Sequence, residues 1–106
     1  MDHQLHEKYY NGLINRLYVI LCFFEQDIST RNDFLLNVEH EVIGASDKTG
    51  ISDFIRLSNK LAYIRLTFGN ESGKFVSGSL RHKLLRKEIM SCIRIVEGIK
   101  GGANDD

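Results

Sequence analysis

The sequence predicts an all-α domain, a four-helix up-down-up-down antiparallel bundle, and three observations carry that prediction. Proline is absent from all 106 residues, so nothing breaks a helix, and a many-turned β domain would ordinarily hold several. Apolar residues recur at alternating steps of three and four in four separate segments. Between those segments lie polar, glycine-containing stretches, with no linker long enough to divide the chain. A composition of 42% hydrophobic and 26% charged residues is that of a globular chain, too apolar and too balanced for intrinsic disorder.

The first helix is expected over about Asp2 to Gln26. Tyr10, Leu13, Ile14, Leu17, Ile20 or Leu21, and Phe24 follow one helical face, with Asp2 as N-cap and Glu7 suited to the positive end of the helix dipole. Near its end Tyr18, Val19, Cys22 and Phe23 make the helix apolar nearly all round, which marks a central element or a surface that meets another chain. A second, shorter helix follows from about Thr30 to Ile43. Thr30 and Asp33 form a variant capping box, Phe34, Leu35, Val38 and Val42 line one side, and Gly44 supplies the stop. A short polar turn, residues 45–50, then returns the chain antiparallel.

The third helix, about Ile51 to Phe68, has the cleanest stripe: Phe54, Leu57, Leu61, Ile64 and Phe68, widened by Ile51, Ile55 and Ala62, and closed by Gly69 and Asn70. Residues 69–78 form a loop with three glycines, a candidate mobile segment. The fourth helix begins near Ser77 or Ser79 and runs to about Ile99 on Leu85, Ile89, Cys92, Val96 and Ile99. One domain is expected over residues 1–100, with 101–106 a disordered tail. A minor alternative joins residues 63–68 and 74–77 as a short β-hairpin. An isolated two-stranded hairpin is barely stable in water, and the helical stripe runs straight through to Phe68.

The shortness of the second helix would leave part of its long neighbours uncovered, against the apolar end of the first. Homodimerisation through Tyr18, Val19, Cys22 and Phe23 is the simplest cover. Charge is uneven although it cancels overall. Residues 1–50 hold four basic against eight acidic side chains, and residues 51–100 hold ten against four. Either the two halves face one another or the basic one meets an anionic partner. On the fourth helix Lys83, Lys87 and Arg94 share one stripe, flanked by Arg81 and Arg86, and the third helix adds Arg56, Lys60 and Arg65. Such a surface tracks phosphates by charge, or it is the solvated face of an amphipathic helix.

No motif announces chemistry. His3, His6 and Glu7 share a helix face as metal ligands would, but no further ligand is spaced to join them. His40 forms no HExxH pair, and Gly69 to Lys74 lacks P-loop spacing. Cys22 and Cys92 lie late in apolar runs, where burial makes a thiol inert, and both are expected as buried free thiols of a reducing cytoplasm. The longest apolar run, Leu17 to Phe24, is too short to span a bilayer, and the N-terminus has no basic leader. The expectation is therefore a cytoplasmic, non-enzymatic interaction protein without metal, cofactor or membrane contact. It would be a small regulator, adaptor or immunity-type protein that binds another protein through a helix face and pairs as a homodimer. The alternative is a nucleic-acid-binding accessory protein using the basic surface of helices three and four.

Overall fold

The computed structural model describes residues 6–71 and 73–104, apart from the side chains of 103 and 104. Four helices follow in order: α1 Glu7–Glu25, α2 Arg31–Thr49, α3 Asp53–Phe68 and α4 Leu80–Asn104. Each packs against the next and α4 closes on α1, which makes an up-down-up-down bundle about 47 Å long and 22 by 19 Å across. No strand occurs among the described residues, and α3 runs unbroken through Phe68, so the alternative hairpin does not form.

The apolar stripes build the core as their spacing predicts. Tyr10, Leu13, Leu17, Ile20 and Phe24 of α1 meet Phe54, Leu57, Leu61, Ile64 and Phe68 of α3 and Leu85, Ile89, Cys92, Val96 and Ile99 of α4, all buried. Tyr10 stacks nearly parallel on Phe54, with ring centroids 6.4 Å apart. Full burial of one such side chain contributes about 1.5–3 kcal/mol, so the core supplies most of what opposes chain entropy.

The second helix is longer than its sequence suggests. Gly44 does not stop it; the helix continues through buried Ala45 to Thr49 and ends at Gly50, whose φ of 73° is the left-handed cap. Thr49 ties off that end, its Oγ1 donating to the Ala45 carbonyl at 2.8 Å and accepting the Ile51 N–H at 3.1 Å. α1 and α2 are both 19 residues long, so the premise of a shorter second helix does not hold.

Caps differ from expectation as well. Thr30 and Ser52 precede their helices without a side-chain cap bond, so the Thr30–Asp33 box is not made. Asp2 and His3 lie outside the described residues. Ser79 does cap α4, its Oγ accepting the His82 N–H at 3.2 Å. That helix runs past Ile99 to Asn104, so residues 101–104 of the expected tail are helical, and 105 and 106 lie outside the described residues.

Candidate interaction surfaces

Which side chains stay available for a partner depends first on which are already engaged. Arg65 donates Nε and Nη2 to the buried Glu39 carboxylate at 2.7 and 3.0 Å, a two-pronged bond that locks α3 to α2 and holds the guanidinium still more firmly charged. Arg16 meets Glu41 at 2.5 Å, and Tyr9 donates its hydroxyl to the same carboxylate at 3.3 Å. The Arg16 bond holds the Glu41 carboxyl below its ordinary range. Burial, with the Glu41 charge beside it, pushes the Tyr9 phenol up to about 12. Lys100 reaches Glu7 at 3.3 Å and Asn11 at 2.8 Å, and His82 Nε2 lies 2.5 Å from Glu25 Oε2, both joining α4 to α1. Several acids of the first half thus meet bases of the second.

The basic residues singled out by sequence fall into three places. Lys83, Lys87 and Arg94 lie on the outer face of α4, exposed, with no ion-pair partner among the described residues. Arg86 is also exposed on α4 and without such a partner. Arg56 and Lys60 lie instead in an open groove of about 380 Å³ between α3 and α4, with Asn59, Tyr63 and Glu88. There Lys60 is bound to Glu88 at 3.2 Å, while Arg56 has only a loose contact with Asp53 at 3.8 Å. Arg81 belongs to neither place. Its guanidinium sits 4.6 Å from the Phe68 ring centroid and pairs with Glu71.

The expected self-association residues also separate. Tyr18, Val19 and Cys22 are exposed on α1, but Phe23 is half-buried with its ring 5.2 Å from that of Phe34. The Glu25–His82 and Glu7–Lys100 contacts fix the register of α1 against α4. That register puts Tyr18 level with Met90 and Cys22 level with Arg86, so the exposed end of α1 borders the basic face. The expectation for Cys22 is corrected: one turn after Tyr18 on the outer arc, it is an exposed free thiol. Cys92 is buried, and burial pushes its thiol up to about 12, which leaves it inert.

Sequence reasoning missed the far end of the bundle, where the residue 69–79 loop is pinned. Arg31 is buried, its guanidinium 4.6 Å over the Phe24 ring, and Nη2 donates to the carbonyls of Gly69 (3.2 Å) and Glu71. Asn32 Nδ2 also donates to the Gly69 carbonyl at 3.2 Å. Phe75 inserts from the loop between Phe24 and Phe68, edge-on to both at 5.6 and 5.9 Å. Gly69 serves this arrangement by lacking a side chain rather than by handedness. Its φ is an ordinary −65°, and a Cβ there would overlap the Arg65 carbonyl and the Asn32 amide. The one signal in sequence was Phe75 itself, a large aromatic stranded among glycine, lysine and serine.

His6 and Glu7 are exposed and His3 lies outside the described residues, among which no group of three or more metal-ligating side chains converges. No described helix is long and apolar enough to cross a membrane. No protein-family model, curated protein or solved structure matches the chain.

Proposed function

We propose that this chain is a non-enzymatic interaction protein, a small regulator, adaptor or immunity-type protein, that holds an acidic protein partner against the outer face of α4. One observation carries the reading. Lys83, Arg86, Lys87 and Arg94 lie within one helix and have no ion-pair partner among the described residues, whereas Arg16, Arg31, Lys60, Arg65 and Arg81 are each engaged within the fold. Unpaired bases on a rigid helix steer an acidic surface without first breaking internal bonds. Tyr18 on the flank adds an aromatic side chain of the kind that anchors interfaces. A cytoplasmic setting belongs to the same reading, since an exposed free thiol at Cys22 suits a reducing compartment.

The same stripe supports a second reading, contact with a nucleic-acid backbone. Lys83, Lys87 and Arg94 span about 16 Å of helix, enough to follow successive phosphates by charge alone. Cross-linking in source cells followed by reconstitution with the recovered protein distinguishes the two. The first reading expects a stoichiometric acidic protein whose binding is lost in Lys83→Glu/Lys87→Glu. The second expects a gel shift with mixed-sequence oligonucleotides that weakens steeply with salt and is lost in the same variant. Partner binding that survives Lys83→Glu/Lys87→Glu/Arg94→Glu would refute both.

A further inference from the structure

The groove between α3 and α4 is lined by side chains that the fold itself leaves largely unused. Arg56, Asn59, Lys60 and Tyr63 fall at i, i+3, i+4 and i+7, which puts all four along the side of α3 that borders the groove. Glu88 of α4 is the opposite wall, and its carboxylate holds Lys60 Nζ at 3.2 Å across the middle. On either side of that bridge the donors are free. The Asn59 amide and the Tyr63 hydroxyl make no hydrogen bond among the described residues, and Tyr63 pairs with no other ring there. Arg56 has only its 3.8 Å contact with Asp53, between side chains 63% and 49% exposed, the kind of ion pair that holds little.

Elsewhere the same residue types are put to use inside the fold. Tyr9 donates to Glu41 and meets Tyr10 edge-on, Tyr10 stacks on Phe54, and Arg16, Arg31, Arg65 and Arg81 are each paired. Tyr63 instead stands 53% exposed. Ile55, which the sequence groups with the core stripe, and Leu66 are exposed on α3 too, at 43% and 66%, but neither lines the groove. The lining therefore offers an open aromatic face, a free guanidinium and a free amide around a central ion pair. Two cations, Arg56 and Lys60, against one carboxylate, Glu88, leave it with an excess of one positive charge.

We infer that this groove binds a small aromatic anion, a planar ring that carries a phosphate or a carboxylate. The ring lies on the face of Tyr63, the anion takes the forked guanidinium of Arg56, and the Asn59 amide between them bonds a polar group of the ligand. Arg56 and Tyr63 are nearly two turns apart, about 10 Å along the helix axis. The flexible stem of Arg56 brings its head part of the way back, to the spacing between ring and anion in a molecule of mononucleotide size. A groove of about 380 Å³ suits such a ligand, since ligand clefts run from about 300 to 1,000 Å³. Arginine is the cation that matches phosphate and carboxylate geometry with paired donors, and an exposed ring face is what an aromatic ligand stacks on. An incoming anion has only the loose Asp53 contact to displace, because the Lys60–Glu88 bridge stays in place beneath it. The inference is independent of the α4 reading, since Lys83, Lys87 and Arg94 do not line the groove.

Titration of the isotope-labelled full chain, followed through its amide NMR shifts, tests it with AMP and indole-3-acetate as probes. The groove is open to solvent, so one or both should bind with a dissociation constant of roughly 0.1–1 mM. The amides that move should be those of residues 56–63 and Glu88. Tighter binding of AMP marks phosphate as the preferred anion, and tighter binding of indole-3-acetate marks carboxylate. Adenosine, a ring without the charge, and ribose 5-phosphate, the charge without a ring, should each bind about ten-fold more weakly than AMP. Arg56→Ala and Tyr63→Ala should each weaken binding by about five- to ten-fold with unchanged circular dichroism, because both side chains are exposed. Tyr63→Phe keeps the ring face and should bind like wild type, as should Arg94→Ala, which removes the same charge from the outer face of α4. The inference is overturned if neither probe gives saturable shifts by about 10 mM, if ribose 5-phosphate binds as well as AMP, or if binding survives Arg56→Ala and Tyr63→Ala.

Discussion

The two ends of the bundle solve one problem, reversing the chain between antiparallel helices, by different means. At the end where α2 meets α3 the turn is tight: Gly50 takes the left-handed conformation, Thr49 bonds both sides of it, and Ser52 already precedes α3. At the other end α1 passes to α2 through Asp27, itself at φ 53°, while α3 passes to α4 through the residue 69–79 loop. There the chain is held from inside, by Arg31 on two loop carbonyls and Phe75 wedged between Phe24 and Phe68. A short turn needs one permissive residue. A long loop needs side chains that tether it, and those come from distant parts of the sequence.

The largest blow to the contrast is Phe75→Ala. It removes the ring that joins α1 and α3 at the loop end and should lower stability by about 3–5 kcal/mol in urea unfolding. A loss under about 1 kcal/mol would mean that the loop end is held some other way. Next comes Arg31→Ala, which strands the Gly69 and Glu71 carbonyls and empties the space over Phe24. The expected loss is about 2–3 kcal/mol. Arg31→Lys should recover little of it, since one ammonium cannot both bridge two carbonyls and lie flat on a ring.

A smaller change of opposite sign is expected in the second half of α2. Gly44 is an exposed helical glycine with open space where a Cβ would go, so Gly44→Ala should stabilise by about 0.5–1 kcal/mol and raise the melting temperature. The smallest effects are those of pH on the cluster of Tyr9, Arg16 and Glu41. The Glu41 carboxyl sits below its ordinary value when folded. Its contribution is complete above that ordinary value and is lost as pH falls through the folded one. The Tyr9 phenol is raised from 10.0 to about 12, so the folded state holds a proton that the unfolded state releases, and stability falls as pH rises across that interval. Tyr9→Phe should flatten the alkaline decline in the urea midpoint and remove the phenolate absorbance that appears near pH 12; an unchanged alkaline slope would count against this account.

What could be read from sequence divides along physical lines. The stripes of α3 and α4 were legible residue by residue, because one period governs both which side chains face inward and which are apolar. Chain reversals were less so. Gly44 and Gly50 present the same local signal, and what carries α2 past the first is the burial of Ala45, a tertiary effect. Cys22 misled through its apolar neighbours, whose inward members are Ile20, Leu21 and Phe24. Ile55 and Leu66 are invisible to any reading that equates apolar with inward. Burial of Arg31 and His82 could not be foreseen, since strongly polar side chains enter a core only for partners, and theirs lie 38 and 57 positions away.

The contact of Lys100 with both Glu7 and Asn11 carries one more consequence. It brings the start of α1 beside the last turns of α4, so the helices follow one another around a ring rather than along a line. In such a ring the starting helix is a matter of gene order. A short bridge from α4 to α1 with new termini opened at Gly50 would keep every core contact, and the circularly permuted chain would reach the same bundle from α3 onward. Opening it at Gly73 instead would part the carbonyls that Arg31 holds, those of Gly69 and Glu71, from the ring of Phe75 wedged between Phe24 and Phe68.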